Sequence, residues 1–249
     1  LKVLILGHKG MLGHMVHKYL STKDDIELIT TDFRWPSEEF KDFIINFWYD
    51  QGGDYIINCI GAIHQRTDNF DINTDLPIWL DDNIDYNLSG CNIIHPGTDC
   101  EIDDDDYGNS KRRAAEYIKE KGCMTKIIKT SIIGPESNSK ASLLDWFLNS
   151  EGEVSGYSKA YWNGNTTLQW AKICYDIMKN YDEYNVETII ASECISKYDL
   201  LVTMKNVYNK KIEIKTNSNV SIDKCLKGDI VTPPIEEQLK DMKEFYYDN

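Results

Sequence analysis

Val3-Leu4-Ile5-Leu6-Gly7-His8-Lys9-Gly10-Met11-Leu12-Gly13 is the stretch that decides the fold. Four apolar residues run into a GxxGxxG loop, and an amphipathic stretch over 11–20 follows, so the segment reads strand, turn, helix. In that setting Gly7 allows the tight turn, Gly10 lets backbone amides approach a pyrophosphate, and Gly13 lets the helix pack close to the sheet. The helix N-terminus adds partial positive charge where a phosphate would sit. Glycine spacing alone is weak evidence. Its place between a first strand and an amphipathic helix makes it a dinucleotide fingerprint rather than a plain turn.

Working outward, residues 26–32, 55–60, 91–95 and 126–133 read as further strands. Between them, 37–49, 73–83 and 107–121 read as helices, with Ser37 as an N-cap. Strands alternating with helices imply right-handed βαβ units and a parallel sheet. After Gly134 the rhythm changes: 143–148, 167–179, 197–208 and 233–247 look helical and 187–191 extended. The expected fold class is α/β, a doubly wound parallel (Rossmann) sheet with a smaller C-terminal substrate-binding part. The dinucleotide-binding part is expected over 1–133 plus about 166–191, the substrate-binding part over 134–165 and 192–249, with the cleft between them.

The chain has 249 residues, with Lys+Arg 27 against Asp+Glu 41 and a formal charge of −14. That surface repels phosphate backbones and anionic membranes, so neither nucleic acid nor membrane is expected as a partner. No apolar run approaches the ~20 residues of a membrane span. The sequence opens directly in strand-forming residues, so no signal peptide is expected. Seven cysteines, scattered and without a CxxC pair, fit reduced thiols and a cytoplasmic location. His8, His14 and His17 share no helix face with a carboxylate or thiolate, so no metal site is expected.

Asp32, at the end of the second strand, is placed to accept hydrogen bonds from adenosine ribose hydroxyls and favours NAD(H). Arg34, two residues on, suits a 2′-phosphate and favours NADP(H). The reading leans to NADP(H), with NAD(H) as the alternative. Tyr107 and Lys111 form a YxxxK pair, one face of a helix. Tyr19/Lys23, Tyr117/Lys121 and Tyr175/Lys179 satisfy the same spacing, so location must discriminate. Only Tyr107/Lys111 opens a helix shortly after a strand whose C-terminal end carries Gly97-Thr98-Asp99. A ketone oxygen that gains charge on hydride transfer needs donors and a proton, which Thr98 and Tyr107 would supply. Lys111 would lower the Tyr107 pKa and hold the nicotinamide ribose. The acidic stretch Asp103 to Asp106, with Asp99 and Glu101, reads as a solvated loop.

GHKGMLG, NCIGA (58–62), GTD (97–99), YGNSK and KTSIIGPE (129–136) stand in the order found in one family. The chain resembles extended short-chain dehydrogenases/reductases, and among them the dTDP-4-dehydrorhamnose reductase-like sugar-nucleotide 4-ketoreductases. The resemblance is strongest over 1–136. It implies reduction of the C4 ketone of a UDP- or dTDP-linked 4-keto-6-deoxy sugar, rhamnose-type or 2-acetamido-2,6-dideoxyhexose. It implies Thr98, Tyr107 and Lys111 as the catalytic set, and cofactor contacts from Gly7, His8, Gly10, Met11, Leu12, Gly13, Ile60, Gly61, Ala62, Ser131 and Ile132. Thr98, Ser131 and Trp162 are expected to meet the substrate. The family usually reads STD where this chain has GTD, and commonly has a longer connection than the seven residues between Asp99 and Tyr107. Two other readings share these motifs: an epimerase or dehydratase on the same fold, and a non-catalytic NADP-binding regulatory subunit. A homodimer is left open.

Overall fold

The computed structural model of the chain describes residues 1–84, 90–121, 124–137 and 142–248. Its first half alternates β1 (Lys2–Leu6), α1 (Met11–Leu20), β2 (Glu27–Thr30), α2 (Glu38–Tyr49), β3 (Tyr55–Asn58), α3 (Ile72–Asn83), β4 (Asn92–Gly97), α4 (Asp106–Lys121) and β5 (Thr125–Lys129). Then come β6 (Ile132–Ile133), α5 (Leu143–Asn149), β7 (Glu153–Trp162), β8 (Asn165–Thr166), α6 (Thr167–Lys179) and β9 (Glu187–Ala191). The chain ends with β10 (Ile195–Ser196), α7 (Lys197–Val207), β11 (Glu213–Asp223), β12 (Ile230–Val231) and α8 (Ile235–Lys243).

Seven strands form one parallel sheet in the order β12-β9-β5-β4-β3-β1-β2. The winding reverses at β1, with β2 on one side and β3 on the other. Such a reversal opens a crevice beyond the C-terminal ends of β1 and β3, where ligands bind in doubly wound sheets. Strand β1 shows why the sequence folds this way. Val3 and Ile5 pack with Leu12, Val16 and Leu20 of α1 and Trp170 and Cys174 of α6. Leu4 and Leu6 point the other way, into Phe40, Ile44 and Phe47 of α2 and Leu76 and Leu80 of α3. Period-two alternation between two apolar layers makes an unbroken apolar run the right sequence for a strand covered on both faces.

Three features depart from the sequence expectation. The strand expected over 126–133 divides: β5 stops at Lys129, and β6 pairs with β8 in a separate two-stranded sheet. Asn165 causes the break, since its N–H donates to the Ser131 carbonyl at 2.9 Å and its Nδ2 to Thr130 Oγ1 at 2.9 Å. Second, β10, β7 and β11 form a small sheet that apolar periodicity does not announce, because most of β11 is exposed. β12, from within 192–249, joins the main sheet beside β9. Third, Cys194 and Cys225 form a disulfide, so the expectation of uniformly reduced thiols is corrected. Spacing hid the pair: they stand 31 positions apart, and β10 and the end of β11 flank the same residue of β7, Tyr161, which brings them together. Cys59, Cys91, Cys100 and Cys174 are free, and Cys123 lies outside the described residues.

Asn165, fully buried, ties β9 of the main sheet to the segment that runs from β12 into α8. Its Nδ2 also donates to the Ile190 carbonyl at 3.1 Å, and its Oδ1 accepts from Thr232 Oγ1 at 2.5 Å and Gln238 Nε2 at 3.1 Å. A third apolar cluster fills the C-terminal part, with Leu144 and Phe147 of α5, Leu200 and Met204 of α7, and Leu239 and Met242 of α8. Among the described residues, no helix is long and apolar enough to cross a membrane.

A Cβ at position 13 would stand 2.2 Å from the Gly7 carbonyl oxygen, so α1 meets the loop this closely only with glycine there. Gly13→Val is expected to lower the thermal midpoint by roughly 2–12 °C, the usual range for overpacking in a domain of this size. Scanning fluorimetry checks it, and an unchanged midpoint would contradict the packing.

Candidate active site

The crevice at the switch point is a cleft of about 570 Å³. Gly10, Met11 and Leu12 line it from the end of β1, and Ile60, Gly61 and Ala62 from the end of β3. Thr98, Tyr107 and Lys111 line it from β4 and α4, and Ser131 and Ile132 from beyond β5. Residues expected from five separate stretches of sequence therefore converge. Gly7 and Gly13 support the loop from beneath. Trp162 does not join them: it is buried at the end of β7 among Ile133, Leu144 and Leu168, and a core role replaces the expected substrate contact.

The N-terminus of α1 is suited to an anion. Gly10 supplies no side-chain cap and the first turn holds no acidic residue, although Met11 and Leu12 border the cleft. Uncapped amides there fit a pyrophosphate. Beside the loop, Lys9 Nζ lies 2.6 Å from Asp32 Oδ1 and His8 Nε2 lies 3.8 Å away. The Lys9 hydrogen bond and charge hold the Asp32 carboxyl below its ordinary range, with smaller help from His8 and Arg34. Sequence reasoning named Asp32 and Arg34 but missed Lys9, which sits in the glycine loop and reaches across to the end of β2.

Thr98 is fixed by a tight corner. Its Oγ1 accepts the Cys100 N–H at 3.2 Å and donates to Asp99 Oδ1 at 3.1 Å, while Glu101 Oε1 takes the Thr98 N–H at 3.0 Å. Glu101 Oε2 lies 2.6 Å from Lys129 Nζ. Asp99 and Glu101 are 4% and 5% exposed, so the reading of them as part of a solvated loop is corrected. The short connection to Tyr107 is a 3-10 turn over Asp99–Ile102 leading into α4, capped by Asp105 Oδ1 accepting the Gly108 N–H at 2.6 Å. A Cβ at Gly108 would stand 2.4 Å from the Cys100 carbonyl oxygen, so the YG step lets the helix start against this turn.

Tyr107 packs against His64 and Phe70, with ring centroids 5.5 and 5.7 Å away. Burial, then the neighbouring Cys100, pushes its phenol up to about 12, against a downward pull from the Thr98 hydroxyl. Lys111 is buried, and burial brings it down to about 8 despite the nearby Glu101 and Cys59. Burial thus outweighs any lowering of the phenol by Lys111, and the net displacement is upward. Lys111 lies under the β3 loop, with Nζ 3.6 Å from the position of a Cβ on Gly61. Asn73 of α3 fixes that loop: Oδ1 accepts the Ala62 N–H at 2.8 Å, and Nδ2 donates to the Ala62 carbonyl and to Ser110 Oγ at 3.0 and 3.2 Å. His95, below, accepts from Asn58 Nδ2 at 3.2 Å and is held neutral by burial and by Lys111. Nothing in sequence spacing marks Asn73, His64, Phe70 or Glu101 for these places.

Lys111 is expected to titrate near pH 8, well below the other lysines, in a 15N side-chain titration assigned with Lys111→Met. Its folded pKa lies below its unfolded value of about 10.4, so the unfolded chain binds more protons between those values. This group's contribution to stability therefore rises with pH across that window. An ordinary lysine titration would contradict the burial.

No family model and no curated protein matches the sequence. Solved structures do match. A dTDP-4-dehydrorhamnose reductase from Clostridium acetobutylicum is 18% identical, with a TM-score of 0.70 over 98% of this chain and 99% of that one. The dTDP-4-dehydrorhamnose reductase from Bacillus anthracis, solved in complex with NADP, is 14% identical, with a TM-score of 0.71 over 100% and 99%. A dTDP-glucose 4,6-dehydratase from the same organism, in complex with NAD, is 12% identical, with a TM-score of 0.69 over 100% and 97%. Along its length, the chain shares the Rossmann-like fold of these three structures.

Proposed function

We propose that the chain is an NADPH-dependent reductase of the C4 ketone of a nucleoside-diphosphate 4-keto-6-deoxy sugar, UDP- or dTDP-linked. The observation that carries this is the convergence of Thr98, Tyr107 and Lys111 on the cleft that holds the uncapped N-terminus of α1. When bound, NADPH supplies the hydride. The Thr98 hydroxyl, rotating its one proton away from Asp99, and the Tyr107 phenol donate to the ketone oxygen as it gains charge, and Tyr107 passes its proton to it. A phenol held up at about 12 is fully protonated at neutral pH, which suits a donor. Lys111, under the Gly61 loop, holds the nicotinamide ribose, and Ser131 and Ile132 border nicotinamide and sugar.

Pairing with Lys9 offsets part of the repulsion that the exposed Asp32 would otherwise offer a 2′-phosphate beside Arg34. This supports NADPH over NADH. The dehydratase among the similar structures supports a second reading, in which a sugar-nucleotide epimerase or dehydratase recycles its cofactor. Net NADPH consumption separates the two.

Tyr107→Phe is expected to lower reduction of such a keto sugar by about 10²–10⁴-fold, the usual contribution of a general acid, while NADPH still binds. Steady-state rates and a fluorescence titration read both quantities; full activity in the variant would end the proposal. Arg34→Ala is expected to raise the KM for NADPH by about tenfold or more, the loss of a charge-assisted contact, with the KM for NADH little changed. Equal effects on both cofactors would contradict the Arg34 assignment.

A further inference from the structure

One cation reaches the Thr98 end of the cleft from the C-terminal part. Lys224 directly follows β11 and lines the cleft, where its ammonium pairs with the Asp103 carboxylate and lies 3.5 Å from Cys100 Sγ. The backbone around it is pinned. Its N–H donates to the Tyr161 carbonyl at 3.1 Å, and Asn163 takes the Leu226 N–H at 2.9 Å and donates to the Leu226 carbonyl at 2.8 Å. Between these points, Cys225 is tied by its disulfide to Cys194, just ahead of β10. A long, flexible side chain is thus carried on a fixed stalk.

An ammonium has three N–H donors. Among the described residues, Asp103 and Cys100 take two, which leaves a third for a ligand in the cleft. The same wall carries the carboxylates of Asp99, Asp103 and Asp105, in a chain of formal charge −14. A sugar nucleotide brings an anionic diphosphate towards that wall, and the ammonium offsets the repulsion. Lys224 stays protonated there: burial pulls its pKa down, but Asp103 and Cys100 carry it above the ordinary lysine value.

We propose that Lys224 is a substrate-binding residue, donating to the sugar nucleotide beside Thr98, and that the Cys194–Cys225 disulfide is the clamp that places it. This rests on the reductase reading above. It adds a contact from the C-terminal part that the Thr-Tyr-Lys set lacks.

Two measurements test it: kinetics with NADPH and a dTDP-linked 4-keto-6-deoxyhexose, and calorimetric binding of dTDP-rhamnose to the NADP⁺-saturated protein. Lys224→Met is expected to raise the KM and the dissociation constant by about ten- to hundredfold, as for loss of a hydrogen bond from a charged group, with kcat and NADPH affinity little changed. Lys224→Arg is expected to recover most of the binding, and Lys224→Gln replaces the Met variant if that one folds poorly. Serine at both Cys194 and Cys225 is expected to raise the KM by about two- to tenfold, the cost of immobilising the side chain on binding. Dithiothreitol, which reduces the disulfide to two thiols as it is itself oxidised, is expected to act in the same direction. Wild-type dTDP-rhamnose affinity in Lys224→Met, or a fall in kcat at constant KM, overturns the role of Lys224. Wild-type KM in the serine pair overturns the clamp. Absence of wild-type turnover of dTDP- and UDP-linked 4-keto-6-deoxyhexoses alike overturns the reductase reading, and calorimetry then decides Lys224 on its own; a wild type that binds neither dTDP-rhamnose nor its UDP-linked counterpart overturns both.

Discussion

A single carboxylate held almost out of water, that of Glu101, fixes the corner on which the candidate chemistry turns. One oxygen takes the backbone N–H of Thr98 and the other the Lys129 ammonium, while its charge acts on Lys111. Burying an unpaired carboxylate is very costly, so the Glu101–Lys129 pair and the Thr98 turn stand or fall together. Thr98 is thereby held at the end of β4, and the turn carrying Cys100 to Asp103 can receive both the start of α4 and Lys224.

The charge of the chain and the charge of its cleft are separate matters. A formal charge of −14 describes the surface as a whole. Locally, α1 presents uncapped amides, Lys9 and Arg34 flank Asp32, and Lys111 and Lys224 line the cleft. Such local arrangement lets an acidic protein favour anions in one crevice, because field strength in a low-dielectric crevice depends on the nearest groups. Opposite displacements of Tyr107 and Lys111, both on α4, have one cause. Both leave water, and desolvation favours the neutral phenol of Tyr107 and the neutral amine of Lys111 alike.

Where periodicity and glycine chemistry govern, the sequence is transparent. The doubly wound sheet, the capping of α2 by Ser37 and the convergence of the glycine loop with Thr98, Tyr107 and Lys111 follow from local patterns that the structure obeys. Legibility ends where tertiary contacts override local signals. β11 has little apolar alternation because neither of its faces is well covered. Asp104 to Asp106 are exposed, as their sequence suggests, but hydropathy cannot show that Asp99 and Glu101 are buried or that Lys129 and Lys224 arrive from distant segments to pair with Glu101 and Asp103. Trp162 carries the right chemistry for a sugar platform, yet strand alternation turns it inward. The disulfide is hidden for a similar reason, since a lone pair of cysteines far apart in sequence has no spacing signature.

Asn165 has a mechanical consequence. Its amide has two donors and two acceptor positions, and all four are used, towards residues 130, 190, 232 and 238. The chain therefore passes between the large and small sheets around a buried, fully bonded knot rather than along one flexible strap. Opening the two parts like a clamshell would expose that amide and forfeit several bonds together. The cleft thus behaves as a rigid slot, selecting ligands by the fit of its mouth and by side-chain movement at its rim.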